Sequence, residues 1–237
     1  FSIWECSACQ FRFTQDVPDA ASIGPYYQSE EYISHSNTSK GLINRLYQAV
    51  RKRTLKRKRK LVQQQTGMGK GQLLDIGSGT GAFVDEMEKS GWRVTGLEPD
   101  SGARQVAKDS FAVTLEDISG FFQLPAEQFD AITMWHVLEH VHTLHEYMDQ
   151  LKKLLKPGGR ILIAVPNYTS GDAGHYQSYW AAYDVPRHLY HFSPGSMEKL
   201  ASIHGLKLLS CKPMWFDSFY ISMLSSKYKH GKTSLPG

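Results

Sequence analysis

An α/β fold with a doubly wound, mainly parallel sheet and a small N-terminal extension is predicted. Three observations predict it. After Gly71, short apolar runs alternate with amphipathic stretches, the rhythm of strands covered by helices on both faces. The first of those runs leads into Gly77, Gly79 and Gly81, where a strand can turn sharply into a helix. Before Gly69 the chain is aromatic, polar and strongly basic, without that alternation.

Residues 1–40 form the extension and show no sustained period. From Gly41, Leu42, Leu46 and Val50 recur at four-residue spacing, with Ile43 and Tyr47 beside them. This predicts a helix running into the flexible Thr66-Gly67-Met68-Gly69 break, so residues 41–68 are a basic helix and linker and 69–237 a main domain. Within it, strands are expected at 72–76, 93–97, 112–115, 131–135, 160–165 and 206–211. Residues 82–90 should form a helix ended by Gly91. Residues 144–155 should form another, with Leu144, Tyr147, Met148, Leu151, Leu154 and Leu155 on its buried face. Ser193 and Pro194 read as cap and first turn of a helix that stops at Gly205. A last strand is sought near 216–224, a segment that reads equally as helix.

The 237 residues, 41% of them hydrophobic, suffice for one sizeable core plus an appendage. No apolar run reaches the roughly 18 residues a membrane span needs. Cys6, Cys9 and Cys211 make no disulfide framework, so a cytoplasmic setting is expected. The net charge of +4 is local in origin: Arg51 to Lys60 holds eight basic residues in ten, and without them 19 of the 27 Lys and Arg face 23 acids. That run suits an anionic surface, lipid or RNA, or a phosphorylated carrier, and implies at most a peripheral membrane position.

Leu73 to Phe83 reads LLDIGSGTGAF. A strand, three glycines and a helix N-terminus together cradle an anionic ligand. Glu98 ends the next strand, 21 residues past Gly77, where a carboxylate can accept both hydroxyls of a ribose. The G-x-G-x-G spacing with Asp75 two residues ahead resembles motif I of class I S-adenosylmethionine-dependent methyltransferases, which are Rossmann-like. Leu115 to Ile118, Phe129 to Val141 and Leu151 to Asn167, with its Lys156-Pro157-Gly158-Gly159 turn, follow at matching distances. Jointly they resemble the group that includes ubiquinone-biosynthesis O-methyltransferases and uncharacterised relatives with an N-terminal zinc-ribbon-like knuckle. The resemblance implies S-adenosylmethionine as cofactor and S-adenosylhomocysteine as product. It places Asp75 at the amino group of the methionine moiety, and Gly77, Ser78, Gly79 and Gly81 at its carboxylate and ribose. Glu98 and Pro99 then hold the ribose side, Asp117 and Ile118 meet adenine, and Trp135, His136 and Leu138 wall the adenosyl and methyl region. The acceptor implied is a small molecule or a lipid- or carrier-linked group. No [DN]-P-P-[YFW] segment follows residue 135, so methylation of DNA adenine or glutamine amides is not expected.

His136-x-x-Glu139-His140 matches the H-x-x-E-H zinc signature. That signature belongs inside a helix, whereas this segment begins at a strand end, so a protease is not expected. In the ubiquinone O-methyltransferases it resembles, a similar segment with Glu at the His136 position is linked to a divalent cation; with His there, a metal is not expected. Arg187, His188, Tyr190 and His191 crowd a loop inside the insertion at 168–193, with Tyr176, Tyr179, Trp180 and Tyr183 expected as aromatic substrate wall. Where an oxygen or nitrogen acceptor must lose a proton, a histidine is suited to take it; His188, or alternatively His136 or His140, is the expected general base. Cys6-Ser-Ala-Cys9 is half of a zinc ribbon, its partner pair expected before Phe1, so zinc is not expected on these residues alone. Two other readings are an NAD-dependent oxidoreductase, disfavoured by the loop spacing, and a cofactor-binding module without catalysis.

Overall fold

The computed structural model describes residues 1–27 and 42–231. The expected boundary near residue 40 and the tail after 231 lie outside them. In chain order the elements are strands β1 (Ile3–Glu5) and β2 (Arg12–Thr14), helix α1 (Leu42–Thr66), β3 (Gln72–Ile76), α2 (Ala82–Glu88), β4 (Arg93–Leu97), α3 (Ser101–Phe111) and β5 (Phe129–Trp135). Then come α4 (Leu144–Leu154), β6 (Leu155–Ala164), α5 (Gly171–Tyr176), β7 (Tyr190–His191), α6 (Pro194–Ile203) and α7 (Trp215–His230). They group into two compact units. One holds 42–137 and 145–164; the other holds 1–27, 138–144 and 165–231.

The first unit is built on a parallel sheet ordered β4-β3-β5-β6. Leu73, Leu74 and Ile76 are wholly buried and Asp75 nearly so, because β3 is central, paired to β4 and β5 on either side and covered on both faces. Val62 of α1 joins Leu73, Phe83, Met87, Trp92, Ala131 and Leu162 in one core, with Leu55 and Leu61 against it. Val84, Ala107, Val113 and Leu115 make a second cluster.

Three strand expectations are corrected. Residues 112–115 form no strand: the unpredicted α3 runs to Phe111, Ala112 takes the left-handed region as its C-cap, and only a Leu97–Glu116 bridge remains. β6 starts at Leu155, not 160, and takes the 156–159 turn in as an irregularity opposite Phe129 to Ala131. Lys156 Nζ lies 3.0 Å from Asp130 there. Residues 206–211 form no strand: none of the described strands pairs with them, and Leu209 is exposed. The 216–224 segment is helical, inside α7.

In the second unit a three-stranded antiparallel sheet, β1-β2-β7, pairs Arg12 with His191 and Phe13 with Tyr190. The sequence showed no sign of this pairing, since both strands are too short to alternate visibly. Ser193 caps α6 as expected, its hydroxyl accepting from Ser196 N while Ser196 Oγ accepts from Ser193 N. Tyr176 and Trp180 are buried with Tyr168, Ala173 and Ala182, so they are core of this unit rather than a substrate wall; Tyr179 is exposed.

Candidate active site

The expected cofactor residues lie in the first unit, except Leu138. Gly77, Gly79 and Gly81 all take positive φ, at 71°, 54° and 76°. A Cβ on Gly77 would stand 2.4 Å from Val137 Cγ2, and one on Gly81 2.7 Å from Ala107 Cβ, so this loop conformation requires glycine. Gly79 has open space around it. Beneath the loop, Thr133 Oγ1 donates to the Asp75 carboxylate at 2.6 Å, and Ser78 Oγ donates to the Asp75 carbonyl. Burial pushes the Asp75 carboxyl up to about 6, against the pull of the Thr133 hydroxyl.

Glu98 is buried at the end of β4 and accepts from Gly79 N at 2.7 Å and Asp100 N at 3.0 Å. Burial raises its carboxyl above the usual range although those two amides oppose it. The Pro99 carbonyl accepts from Arg104 Nη1 at 2.8 Å. Asp117 is exposed, caps the turn that begins at Ile118 by accepting from Ser119 N, and pairs with Arg104 at 2.9 Å. The Ser119 amide, with Arg104, holds it below the usual carboxylate range. Trp135 meets Phe83 edge to face at 5.5 Å. His136 is exposed, with φ at 60°, in the left-handed region that histidine enters more readily than most side chains.

Two further residues were missed. Arg51 Nη2 donates to Thr80 Oγ1 in the glycine loop at 3.0 Å, and Lys58 Nζ stands 4.6 Å over the Trp135 ring and is felt by Asp75. Leu55 and Val62, seven apart, carry the signal that one face of the basic run turns inward.

Leu138, His140 and His188 belong to the second unit. Leu138 and Glu139 are wholly buried, in the turn Leu138–His140. His140 Nδ1 donates to the Arg187 carbonyl at 2.9 Å and lies 3.0 Å from the Tyr27 hydroxyl. His188 Nδ1 donates to the Ala182 carbonyl at 2.8 Å, and its Nε2 is 3.7 Å from Asp184, which pairs with Arg187. The carbonyl partners assign both tautomers. The two imidazoles meet edge to face at 4.6 Å. Burial, then His188, pushes His140 down to about 4. His191 is likewise pushed to about 4 by burial; its Nε2 lies 3.0 Å from Thr14 Oγ1, which itself donates to the His188 carbonyl. Among the described residues, Glu139, His140 and His188 bring ligand atoms within 4.8 Å of one another, a donor set a metal ion could use although the sequence reading expected none.

A family model described as a methyltransferase domain matches residues 43–211. The chain belongs to that family, of the class I, S-adenosylmethionine-dependent type. The cofactor is S-adenosylmethionine, and the oxidoreductase alternative has no support. A ubiquinone biosynthesis O-methyltransferase of Actinobacillus pleuropneumoniae is 34% identical over 118 residues, 45% of this chain and 50% of that protein. A demethylmenaquinone methyltransferase of Tropheryma whipplei is 27% identical over 120 residues, 49% of this chain and 50% of that protein. The chain thus spans about half the length of these curated relatives. The magnesium protoporphyrin IX methyltransferase of Synechocystis, solved with S-adenosylhomocysteine, aligns at TM-score 0.61 and 13% identity, covering 81% of this chain and 91% of that one. This last likeness is one of fold.

Proposed function

We propose that this methyltransferase moves the sulfonium methyl group to an oxygen, in second place a nitrogen, of a small-molecule or carrier-linked acceptor. The observation that carries the cofactor side is the buried Asp75–Thr133 pair beneath three left-handed glycines. In this reading Asp75 faces the methionine ammonium. The amides of Gly77, Ser78, Gly79 and Gly81 meet its carboxylate and the ribose. Glu98, with Pro99 beside it, accepts the ribose hydroxyls; a carboxylate holding two N–H groups still has lone pairs for them. Asp117 and Ile118 hold adenine, and Trp135, His136 and Leu138 border the transferable methyl. The name of the Actinobacillus relative supports an oxygen acceptor.

Methyl transfer from sulfonium is an in-line displacement, so alignment supplies most of the rate. Where the acceptor must lose a proton, His188 is our first choice as general base, with His136 second. A histidine held near 4 is a weak base at neutral pH, which places His140 behind them. A methyl-transfer screen over hydroxylated aromatic and sugar acceptors tests this. His188→Ala should bind S-adenosylhomocysteine as the parent does and lose about 10²-fold or more in turnover; unchanged turnover removes His188 from the role.

A second reading has one observation behind it. Glu139, His140 and His188 each bring one ligand atom within 4.8 Å of the others, and a backbone carbonyl orients each imidazole through Nδ1, as it commonly orients metal-binding histidines. A divalent cation there would polarise an acceptor oxygen. Chelation by EDTA should leave turnover unchanged under the first reading and abolish it, reversibly, under the second.

A further inference from the structure

The methyl-transfer reading leaves the outer face of α1 without a role. Lys52, Arg53, Lys56, Arg57 and Lys60 are all exposed. At about 100° per residue they fall within one arc of roughly 140°, and from first to last they span about 12 Å. No Asp or Glu occurs anywhere in α1, so no acid of the helix itself neutralises the stripe. The helix cannot roll to hide it. Val62 and Leu55 anchor the opposite face in the core, Arg59 pairs with Glu86 at 3.3 Å, Arg51 bonds Thr80, and Lys58 lies over Trp135.

We propose that this stripe docks the chain on the surface of an anionic lipid bilayer. The charge complementarity is direct: five exposed cations on one rigid rod match a plane of phosphate and carboxylate headgroups, and each basic residue near such a surface adds affinity. The shape selects lipid over RNA. The stripe is the convex side of a single helix, with no aromatic residue from Arg51 to Thr66 on which a base could stack. It also lacks an exposed apolar anchor, since Leu55 turns inward; attachment is therefore electrostatic, reversible and weakened by salt. Docking has a consequence for the site. Thr80 of the glycine loop contacts the inner face of the same helix, so the bilayer surface lies about one helix diameter, roughly 10–12 Å, from the cofactor loop. An acceptor carried in the membrane is then within reach.

The test is co-sedimentation with vesicles of phosphatidylcholine alone and of phosphatidylcholine mixed with phosphatidylserine, in low and high salt. Binding to the mixed vesicles only, released by salt, is expected. K52Q/K56Q/K60Q should bind about 100-fold more weakly, at about fivefold per charge. K70Q/K152Q/K153Q, which removes three exposed charges elsewhere in the same unit, should bind as the parent does. Binding to phosphatidylcholine alone, indifference to salt, or equal loss in both triple variants overturns the proposal. So does full binding by the stripe variant while circular dichroism shows it folded. Displacement from the vesicles by a single-stranded RNA at a lower concentration than the lipid phosphate would assign the stripe to nucleic acid instead.

Discussion

Asp75 shows how a single side chain divides between stability and function. Its carboxyl is 1% exposed and lifted to about 6 by burial, so the folded state holds a proton more tightly than the unfolded chain does. The sign follows directly. The ionised form costs stability above about pH 6, and this cost fades as pH falls from about 6 toward the ordinary carboxylate range. Asp75→Asn should therefore raise the melting temperature of the unliganded protein at pH 8, by an amount on the order of 3 kcal/mol in unfolding free energy, and by less at pH 5. The same substitution should weaken S-adenosylhomocysteine binding at least tenfold. The parent should lose affinity below about pH 6, as the Asp75 carboxylate takes up a proton, and Asp75→Asn should flatten that loss, read by calorimetry at several pH values. Gly81 is the complementary case. Its φ of 76° and the 2.7 Å approach of an added Cβ to Ala107 predict that Gly81→Ala loses about 2–4 kcal/mol, from backbone strain and overpacking together. Urea unfolding measures it. Gly77 and Gly81 were legible in the sequence because glycine marks such positions; Arg51 and Lys58 were not, because eight cations in ten residues hide which of them turn inward.

At the scale of elements, legibility followed burial. β3 and β4 emerged with their observed limits because a strand covered on both faces is a continuous apolar run bounded by glycine or polar residues. The α6 cap was equally plain, since Ser193 and Pro194 act locally; Ser193→Ala should cost about 1 kcal/mol of stability by loss of the capping box, checked by urea unfolding. What failed were elements whose identity depends on distant partners. Residues 206–211 have the composition of a strand, yet none of the described strands pairs with them. β1, β2 and β7 have partners but only two or three residues each. α3 carries few apolar residues and buries only Ala107, which left its period invisible.

Across the whole molecule, the expected site residues divide between the two compact units: the cofactor loop and its carboxylates in one, the histidine cluster of 140, 188 and 191 in the other. Asp75, the three glycines and Glu98 lie at the ends of β3 and β4, where the alternation of the sequence put them; Asp117 follows no strand, since residues 112–115 form none. It could not order the second group, whose contacts join residues as distant as Thr14 and His191. The account rests on an adenosyl sulfonium bound at the glycine loop, and titration calorimetry with S-adenosylhomocysteine, run beside NADH, addresses it directly. One saturable site for S-adenosylhomocysteine, weakened at least tenfold in both Asp75→Asn and Glu98→Ala, with no heat from NADH, is the predicted result. NADH binding that Glu98→Ala abolishes, or no binding of S-adenosylhomocysteine by the folded protein, would contradict it.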